Sequence, residues 1–264
     1  MRFLAKKAQN HTKSKGSIKI MEQIAYKDFD ILTEKVFSEL GKTCTWSAEI
    51  RTKFCDLTNF LLSENEKYNL TAIRNIEGVI KNHLFDSVSI ADLIPEGVKV
   101  IDVGAGAGFP SLPLAIVRPD LRIIALDSTG KKTEFTKAAA KLLELHNIDA
   151  MSARAEELVS DLPTFREHFD VAVARSVAAL PILSELCLPF VKVGGMLVAM
   201  KSESAAHELA ESKNAFRLLG GEAKSVTLYQ SREDEVRCAF VINKIAQTPD
   251  KYPRAYAQIK KKPL

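Results

Sequence analysis

The chain has 264 residues, of which 46% are hydrophobic and 27% are charged. This composition predicts one large globular domain, or one domain with an appendage, and excludes a disordered or collagen-like chain. Four cysteines are present, but they form no Cys-x-x-Cys pair and have no histidine cluster beside them, so neither a metal site nor a disulfide framework is predicted. No uncharged apolar run is long enough to cross a membrane. We expect a soluble protein of the reducing cytoplasm.

The net charge of +4 is unevenly distributed along the chain. Residues 1–20 carry six basic and no acidic side chains, and residues 249–264 carry five basic side chains against one acidic side chain. Basic ends on an acidic body are consistent with contacts to nucleic acid or to a membrane surface, and equally with solvated, disordered ends. We treat residues 1–27 as a basic, disordered tail in which Met21 is a second candidate start, and residues 247–264 as a basic C-terminal tail.

The segment 28–94 is predicted to be helical. Its apolar residues recur at the spacing of amphipathic helices, as in the series Phe29, Leu32, Val36 and Leu40. Three or more helices fit into this N-terminal helical segment.

From residue 95 to residue 246, short β-rich runs alternate with longer amphipathic runs, which is typical of βαβ units and a parallel sheet. Helices are predicted over residues 131–145 and 203–219. The five strands of the parallel part are predicted at residues 98–103, 121–126, 148–152, 169–174 and 196–200. Two further strands, residues 224–229 and 236–242, are joined by a polar turn and form a hairpin, so one of them runs antiparallel. This order predicts an α/β fold of the class I S-adenosylmethionine-dependent methyltransferase type, a Rossmann-like seven-stranded sheet with a terminal antiparallel hairpin.

A glycine-rich loop follows the first predicted strand. The strand ends at Asp102, the glycines Gly104, Gly106 and Gly108 follow, and a helix begins directly after them. Glycines let the backbone approach a ligand closely, and a helix N-terminus supplies free N–H groups. A nucleotide-like cofactor is therefore expected in the crevice outside the carboxyl end of this strand.

The spacing of the loop indicates which cofactor it binds. The dinucleotide fingerprint requires a third glycine where this chain has Phe109, which disfavours NAD. The carboxylate of Asp102 suits a cofactor with an ammonium group, such as S-adenosylmethionine. Asp127 ends the second strand, where its carboxylate is placed to accept hydrogen bonds from both ribose hydroxyls. The sequence thus predicts S-adenosylmethionine.

Further candidates follow the third and fourth strands. Ala155 and Glu156 offer a backbone N–H and a carboxylate to the edge of an adenine ring, although the start of a surface helix explains them equally well. Arg175 lies at the carboxyl edge of the sheet, close to any transferred methyl group. Core packing does not explain an arginine there, so we expect it to serve the site and not the core.

The end of the fourth strand also restricts the substrate. The Asn/Asp-Pro-Pro-aromatic motif of amino methyltransferases that act on adenine or cytosine is absent. Cys187 lies in a helix that looks buried, so it is not expected to act as a covalent nucleophile. A ring nitrogen that is already nucleophilic, such as guanine N7, needs neither that motif nor a cysteine nucleophile.

Seven collinear segments, spread over most of residues 28–254, carry a more specific pattern. They are NLTAI (69–73), NHLFDS (82–87), DVGAGAGFPSLPLAIVRP (102–119), LDSTGKK (126–132), ARSVA (174–178), MKS (200–202) and YPR (252–254). Together they resemble the bacterial ribosomal small-subunit methyltransferase G family, also called glucose-inhibited division protein B.

The resemblance implies S-adenosylmethionine-dependent methylation of guanosine N7 in 16S rRNA, with free rRNA or a small ribosomal subunit precursor as partner. By position it implies the following cofactor contacts: Gly104, Phe109, Asp127, Ser128, Thr129, Ala155, Glu156 and Arg175. The C-terminal match is poorer because residues 255–259 intervene before the final lysines. No cofactor contact is expected from this tail, and we expect a monomer without an obligate protein partner. Two alternatives stay open, a class I methyltransferase acting on a small molecule or protein, and an RNA-binding module that has lost catalysis.

Three polar residues are further candidates for the catalytic centre or the RNA site. His83 and Asp86 are three positions apart and share a face of a predicted helix, where a simple surface pair is the alternative. Lys201 ends the fifth strand at the same edge of the sheet and can meet an RNA phosphate, with a solvated lysine as the alternative. His83 and Asp86 do not form a metal site, because the sequence offers no further ligand beside them.

Overall fold

The computed structural model describes residues 23–232 and 235–264. The predictions for residues 1–20 and for Met21 lie outside the described residues. The seven strands form one sheet in the order β3-β2-β1-β4-β5-β7-β6. They are β1 (Lys99–Val103), β2 (Arg122–Asp127), β3 (Ile148–Ser152), β4 (Phe169–Arg175), β5 (Val191–Ser202), β6 (Gly221–Arg232) and β7 (Glu235–Lys244). Strand β7 is antiparallel to both of its neighbours and the other pairs are parallel, as predicted for this class of fold.

Helices cover both faces of the sheet and precede it. They are α1 (Tyr26–Glu39), α2 (Ala48–Tyr68), α3 (Ile76–Val79), α4 (Asp86–Val88), α5 (Ser111–Val117), α6 (Gly130–Leu142), α7 (Ala155–Asp161), α8 (Leu180–Cys187), α9 (Ala206–Glu211), α10 (Lys213–Leu219) and α11 (Tyr256–Lys261). A π-helical turn, Ile80–Phe85, joins α3 to α4. Among the residues that the structure describes, no helix combines the length and apolar character needed to cross a bilayer.

The single helix predicted over residues 203–219 is wrong. The structure has a short turn and then two helices, α9 and α10, that meet at Ser212. The buried Ser212 hydroxyl donates a hydrogen bond to the carbonyl of Glu208 at 2.7 Å. A serine that bonds to the preceding turn in this way competes with regular helical geometry, which accounts for the break.

The N-terminal helices share a core with the sheet domain. Leu57 and Leu61 of α2 are fully buried in the same apolar cluster as Leu112 of α5. The rings of Phe60 and Phe135 stack with centroids 5.1 Å apart. Stacking of this kind adds to the stabilisation from area burial. The helical segment is therefore fixed on the sheet and can contribute side chains to its carboxyl edge.

The C-terminal segment is also packed on the body of the protein. Arg166 donates hydrogen bonds to the carbonyl groups of Thr248, Pro249 and Tyr252 at 2.8–3.1 Å. Ile259 of α11 is fully buried. The alternative of a solvated, disordered tail is therefore wrong for residues 247–264.

An ion pair anchors the same segment. Arg254 donates from its guanidinium to both carboxylate oxygens of Glu185, at 2.8 and 2.6 Å, and its backbone N–H donates at 2.9 Å. Glu185 lies on α8 and has no exposed surface. Its charge depends on this partner, because an unpaired carboxylate is strongly disfavoured in the interior.

We expect Arg254→Ala to lower the free energy of unfolding by about 3 kcal/mol, because it leaves a buried carboxylate without its cation. Urea denaturation measures this value. Adding Glu185→Gln should recover much of the loss, since a neutral amide needs no counter-charge. The matched control Lys261→Ala removes an exposed lysine from the same segment and should change stability by less than about 0.5 kcal/mol. A loss of equal size in the control would contradict a specific role for the ion pair.

Candidate active site

Two neighbouring cavities, which share lining residues, open at the carboxyl edge of the parallel strands. The first has a volume of about 350 Å³ and lies between the glycine loop and the N-terminal helical segment. The second has a volume of about 330 Å³ and lies between β2, α7 and α11. Both are lined by Gly104, Asp127, Lys132 and Ser176. One extended ligand can therefore occupy both cavities.

The glycine loop forms the floor of these cavities. Gly104 and Gly108 have φ values of +77° and +80°, which side chains rarely adopt. A Cβ atom at Gly104 would lie 2.6 Å from Val177, and one at Gly108 would lie 2.6 Å from Leu112. Gly106, in contrast, has open space around its Cα and lines the first cavity. Gly104 and Gly108 thus allow tight packing, while Gly106 is open to a ligand.

Asp127 joins the glycine loop to the second strand. Its Oδ2 accepts a hydrogen bond from the N–H of Gly106 at 2.9 Å, and its Oδ1 accepts one from the N–H of Thr129 at 2.8 Å. Each carboxylate oxygen can accept more than one hydrogen bond, so further donors from a ligand can be accommodated. Thr129 lines neither cavity, and its contribution is to hold this carboxylate in place.

The second cavity contains the remaining predicted adenosine contacts. Ser128, Ala155 and Glu156 line it. Ala155 and Glu156 are both buried at the start of α7, so the alternative of a surface helix start is wrong. Tyr256 of α11 lines the opposite wall. No cofactor contact was predicted from the C-terminal tail, but packing of α11 on the body brings Tyr256 to this cavity.

Asp102 lies behind the loop and not in it. Its side chain has no exposed surface and lines neither cavity, because its Oδ2 accepts hydrogen bonds from the backbone N–H and the hydroxyl of Ser111. Oδ1 has no hydrogen-bond partner in the described part of the chain. Burial raises the pKa of this carboxyl to about 7. The predicted direct contact with an ammonium group is therefore corrected, and Asp102 instead fixes the start of α5.

Arg175 lines the first cavity and contacts three neighbouring residues through its guanidinium group. One guanidinium nitrogen donates to the carbonyl of Asn82 at 2.8 Å and to the carboxylate of Asp86 at 2.9 Å. The other lies 3.2 Å from Nδ1 of His83. The sequence therefore correctly selected three residues that the structure brings together, Arg175, His83 and Asp86. The side chain of Arg175 is only 11% exposed, and its ion pair with the buried Asp86 also joins the sheet to the N-terminal helical segment.

Asp86 is fully buried and has partners on three strands of the sheet. Besides Arg175, it accepts a hydrogen bond from the hydroxyl of Tyr229 on β6 at 3.1 Å, and Arg237 on β7 lies 3.6 Å away. Burial raises the pKa of Tyr229, so the phenol stays protonated and donates. The alternative of a surface pair is wrong for His83 and Asp86, because the π-helical turn rotates both side chains inward. Asp86 itself lines neither cavity and supports Arg175 from behind.

His83 lies flat against Phe109, with ring centroids 4.4 Å apart and planes 18° apart. Both rings line the first cavity. Burial and the neighbouring Arg175 lower the pKa of His83 to about 3. The imidazole is therefore neutral at physiological pH, whereas Arg175 beside it is charged.

Lys201 does not face the cavities. Its ammonium group donates to the carbonyl of Ala178 at 2.6 Å and pairs with Glu208 at 2.8 Å, and its side chain is 10% exposed. Both sequence-based interpretations are therefore wrong, since the lysine is neither solvated nor free to meet a phosphate. It fixes the loop that follows Arg175.

Sequence reasoning did not select several residues at the site. They include Lys132 and Ser176, which line both cavities, and Thr71, Tyr229, Arg237 and Tyr256. Thr71 lies within the NLTAI segment and Tyr256 follows the YPR segment. Their positions in or next to segments that resemble the family could have identified them as candidates. Tyr229 and Arg237 sit on the hairpin and had no local signal. In the described residues no group of three or more histidine, cysteine, aspartate or glutamate side chains is arranged to hold a metal.

The sheet order, the glycine loop and the acidic end of β2 define a class I methyltransferase. The crystal structure of a SAM-dependent methyltransferase from Aquifex aeolicus has the same fold, with a TM-score of 0.50 and 16% identity over 69% of this chain and 97% of that chain. The family model for rRNA small subunit methyltransferase G matches residues 50–236, and the chain belongs to that family.

Two relatives support this assignment, and each is named ribosomal RNA small subunit methyltransferase G. The protein from Acetivibrio thermocellus is 44% identical over 214 residues, which cover 80% of this chain and 88% of the relative. The protein from Clostridium kluyveri is 37% identical over 239 residues, which cover 90% and 99%. The predicted fold class and family are thus confirmed, and the chain is an S-adenosylmethionine-dependent rRNA methyltransferase.

The buried Asp102 predicts a pH effect on stability. Its pKa is higher in the folded than in the unfolded chain, so the stabilisation it provides is complete below 3.8 and is lost as pH rises to about 7. Asp102→Asn stays neutral and lacks this loss. In urea denaturation the variant should therefore gain stability relative to the wild type as pH rises from about 5 to about 8. Parallel pH profiles of the two proteins would show that Asp102 does not titrate in this range.

Proposed function

We propose that the chain transfers the methyl group of S-adenosylmethionine to N7 of a guanosine in 16S rRNA. The observation that carries this proposal is the chemistry of the first cavity. It combines Arg175, a neutral His83 and Phe109, and among the described residues its lining contains no cysteine and no carboxylate other than Asp127. Guanine N7 reacts through a ring lone pair and loses no proton, so neither a covalent nucleophile nor a general base is required.

The cofactor fits the two cavities by the character of their linings. We assign the adenosine part to the second cavity, where Asp127 retains capacity for ribose hydroxyls and Glu156 and Tyr256 form the walls. The methionine part is assigned to the first cavity, above the open Gly106. When bound, the cofactor supplies an electrophilic methyl group on a cationic sulfur.

The charged groups around the first cavity determine how it accommodates a cationic donor. A free arginine would repel a sulfonium, but the charge of Arg175 is balanced by Asp86 at 2.9 Å. The low pKa of His83 keeps the imidazole from adding to the positive charge of Arg175, Arg237 and Lys132, which all line this cavity. Asp127 and the buried Asp86 offset part of that charge, and the protein contributes alignment of the reactants and exclusion of water.

The C-terminal helix supports contact with RNA. Lys260, Lys261 and Lys262 are exposed on or directly after α11, which also carries Tyr256 to the second cavity. Exposed lysines beside a cofactor site are placed to meet phosphates of the small-subunit rRNA. The tail thus contributes to cofactor binding through one face and, in this proposal, to RNA binding through the other.

The function is tested on small ribosomal subunits from cells that lack this protein. Incubation with the purified chain and a methyl-labelled cofactor should place label on N7 of one guanosine in 16S rRNA. Chemical cleavage at 7-methylguanosine identifies the position, and rRNA from cells with the protein should already carry the mark. Label on another atom, on ribosomal protein, or none at all would overturn the proposal.

We expect Asp127→Ala to weaken binding of the demethylated cofactor by about 1.5 to 3 kcal/mol, because it removes a charged acceptor of ribose hydrogen bonds. Tyr256→Ala should also weaken binding, by roughly three- to tenfold, because it opens the wall of the second cavity. Isothermal titration calorimetry measures both.

Tyr256→Phe retains the ring and should bind as the wild type does. Tyr26→Ala is the matched control, since Tyr26 is an exposed tyrosine of α1 that lines neither cavity. Unchanged affinity in Asp127→Ala would remove the ribose assignment, and unchanged affinity in Tyr256→Ala would remove α11 from the cofactor site.

A further inference from the structure

Thr71 lies at the end of a chain of hydrogen bonds that starts at Arg175. Nδ1 of His83 lies 3.2 Å from the Arg175 guanidinium, and Nε2 of the same ring lies 2.9 Å from the Thr71 hydroxyl. All three residues line the first cavity. None of the contacts assigned to the cofactor uses Thr71.

The direction of these hydrogen bonds is determined by chemistry. A guanidinium group can only donate, so Nδ1 of His83 must accept from Arg175. A neutral imidazole with an accepting Nδ1 carries its proton on Nε2. The N–H at Nε2 therefore donates to Oγ1 of Thr71.

The Thr71 oxygen is consequently saturated as an acceptor. The backbone N–H of Ile73 also donates to Oγ1, at 3.2 Å. A hydroxyl oxygen has two lone pairs, and both are used. The hydroxyl hydrogen has no acceptor within residues 23–232 and 235–264. Thr71 thus offers the first cavity a hydroxyl that can donate a hydrogen bond and cannot accept another.

We propose that the Thr71 hydroxyl recognises the O6 carbonyl of the target guanine and thereby selects guanine over adenine. Guanine presents N7 and O6 as adjacent acceptors on one edge, whereas adenine presents an N6 amino donor in place of O6. A donor held beside the reacting nitrogen pairs with O6. It cannot pair with the amino group of adenine, because its own lone pairs are filled. This assignment rests on the proposed function and adds the residue that reads the base.

The role of His83 follows from the same arrangement. His83 does not need to touch the base, because its contribution is to keep Oγ1 of Thr71 occupied. It is a positioning residue, and Arg175 fixes its tautomer. The stack with Phe109 holds the ring in the plane that both hydrogen bonds require.

The test uses small subunits reconstituted with 16S rRNA that carries guanosine, inosine or 2-aminopurine riboside at the mapped target position. Inosine retains O6 and lacks only the 2-amino group, whereas 2-aminopurine lacks O6 and retains N7. The ratio kcat/KM is measured for the wild type, Thr71→Val and Thr71→Ser. The wild type should methylate guanosine and inosine similarly, and 2-aminopurine at least about tenfold less well.

Thr71→Val should lower kcat/KM for guanosine and inosine about tenfold and leave 2-aminopurine nearly unchanged, since the lost bond does not exist there. Thr71→Ser keeps the hydroxyl and should keep the wild-type preference. Binding of the demethylated cofactor should be unchanged in both variants. A merely structural role would lower all three substrates equally.

An equal loss on all three substrates, or weaker cofactor binding with an unchanged preference for O6, would overturn the role of Thr71 and leave the proposed function intact. A wild-type protein that methylates none of the three bases at N7 would overturn the proposed function and this assignment with it.

Discussion

The carboxylate of Asp86 is the interaction on which the active edge of the molecule depends. It is fully buried and would be strongly disfavoured there without cationic and hydroxyl donors. Its partners are Arg175 from β4, Tyr229 from β6 and Arg237 from β7. One anion on the N-terminal helical segment thus connects this segment to three strands that are distant in sequence. Removing it would leave Arg175 without its counter-charge at the point where a cationic donor is expected.

This arrangement explains why the site is assembled from two parts of the chain. The sheet supplies the glycine loop, Asp127 and Arg175, which are features shared by many cofactor sites at the carboxyl edge of parallel strands. The helical segment supplies Thr71 and His83, which complete the wall of the first cavity. The general binding chemistry therefore resides in the sheet, while we assign the selection of the base to the segment that precedes it.

The sequence predicted the features that are determined by residues close together in the chain. The strands, the glycine loop and Asp127 follow from periodicity and from residues that are adjacent in the chain, and the structure contains them. Helical periodicity placed His83 and Asp86 on one helix face but left a surface pair open as the alternative, because it cannot register the π-helical turn in which His83 lies. Lys201 was misjudged because its partner Glu208 approaches only after the chain turns back. Tyr229 and Asp86 are 143 positions apart in the sequence, so the residues adjacent to each of them do not indicate their contact.

The common core of the N-terminal helices and the sheet domain affects how the protein unfolds. Leu57 and Leu61 of α2 belong to one buried apolar cluster with Leu112 and Phe135. Parts joined by such a core lose their structure together, so the helices and the sheet behave as one cooperative unit. The helical segment is consequently not an exchangeable module. A sheet domain separated from it would expose a contiguous apolar surface and be prone to aggregation.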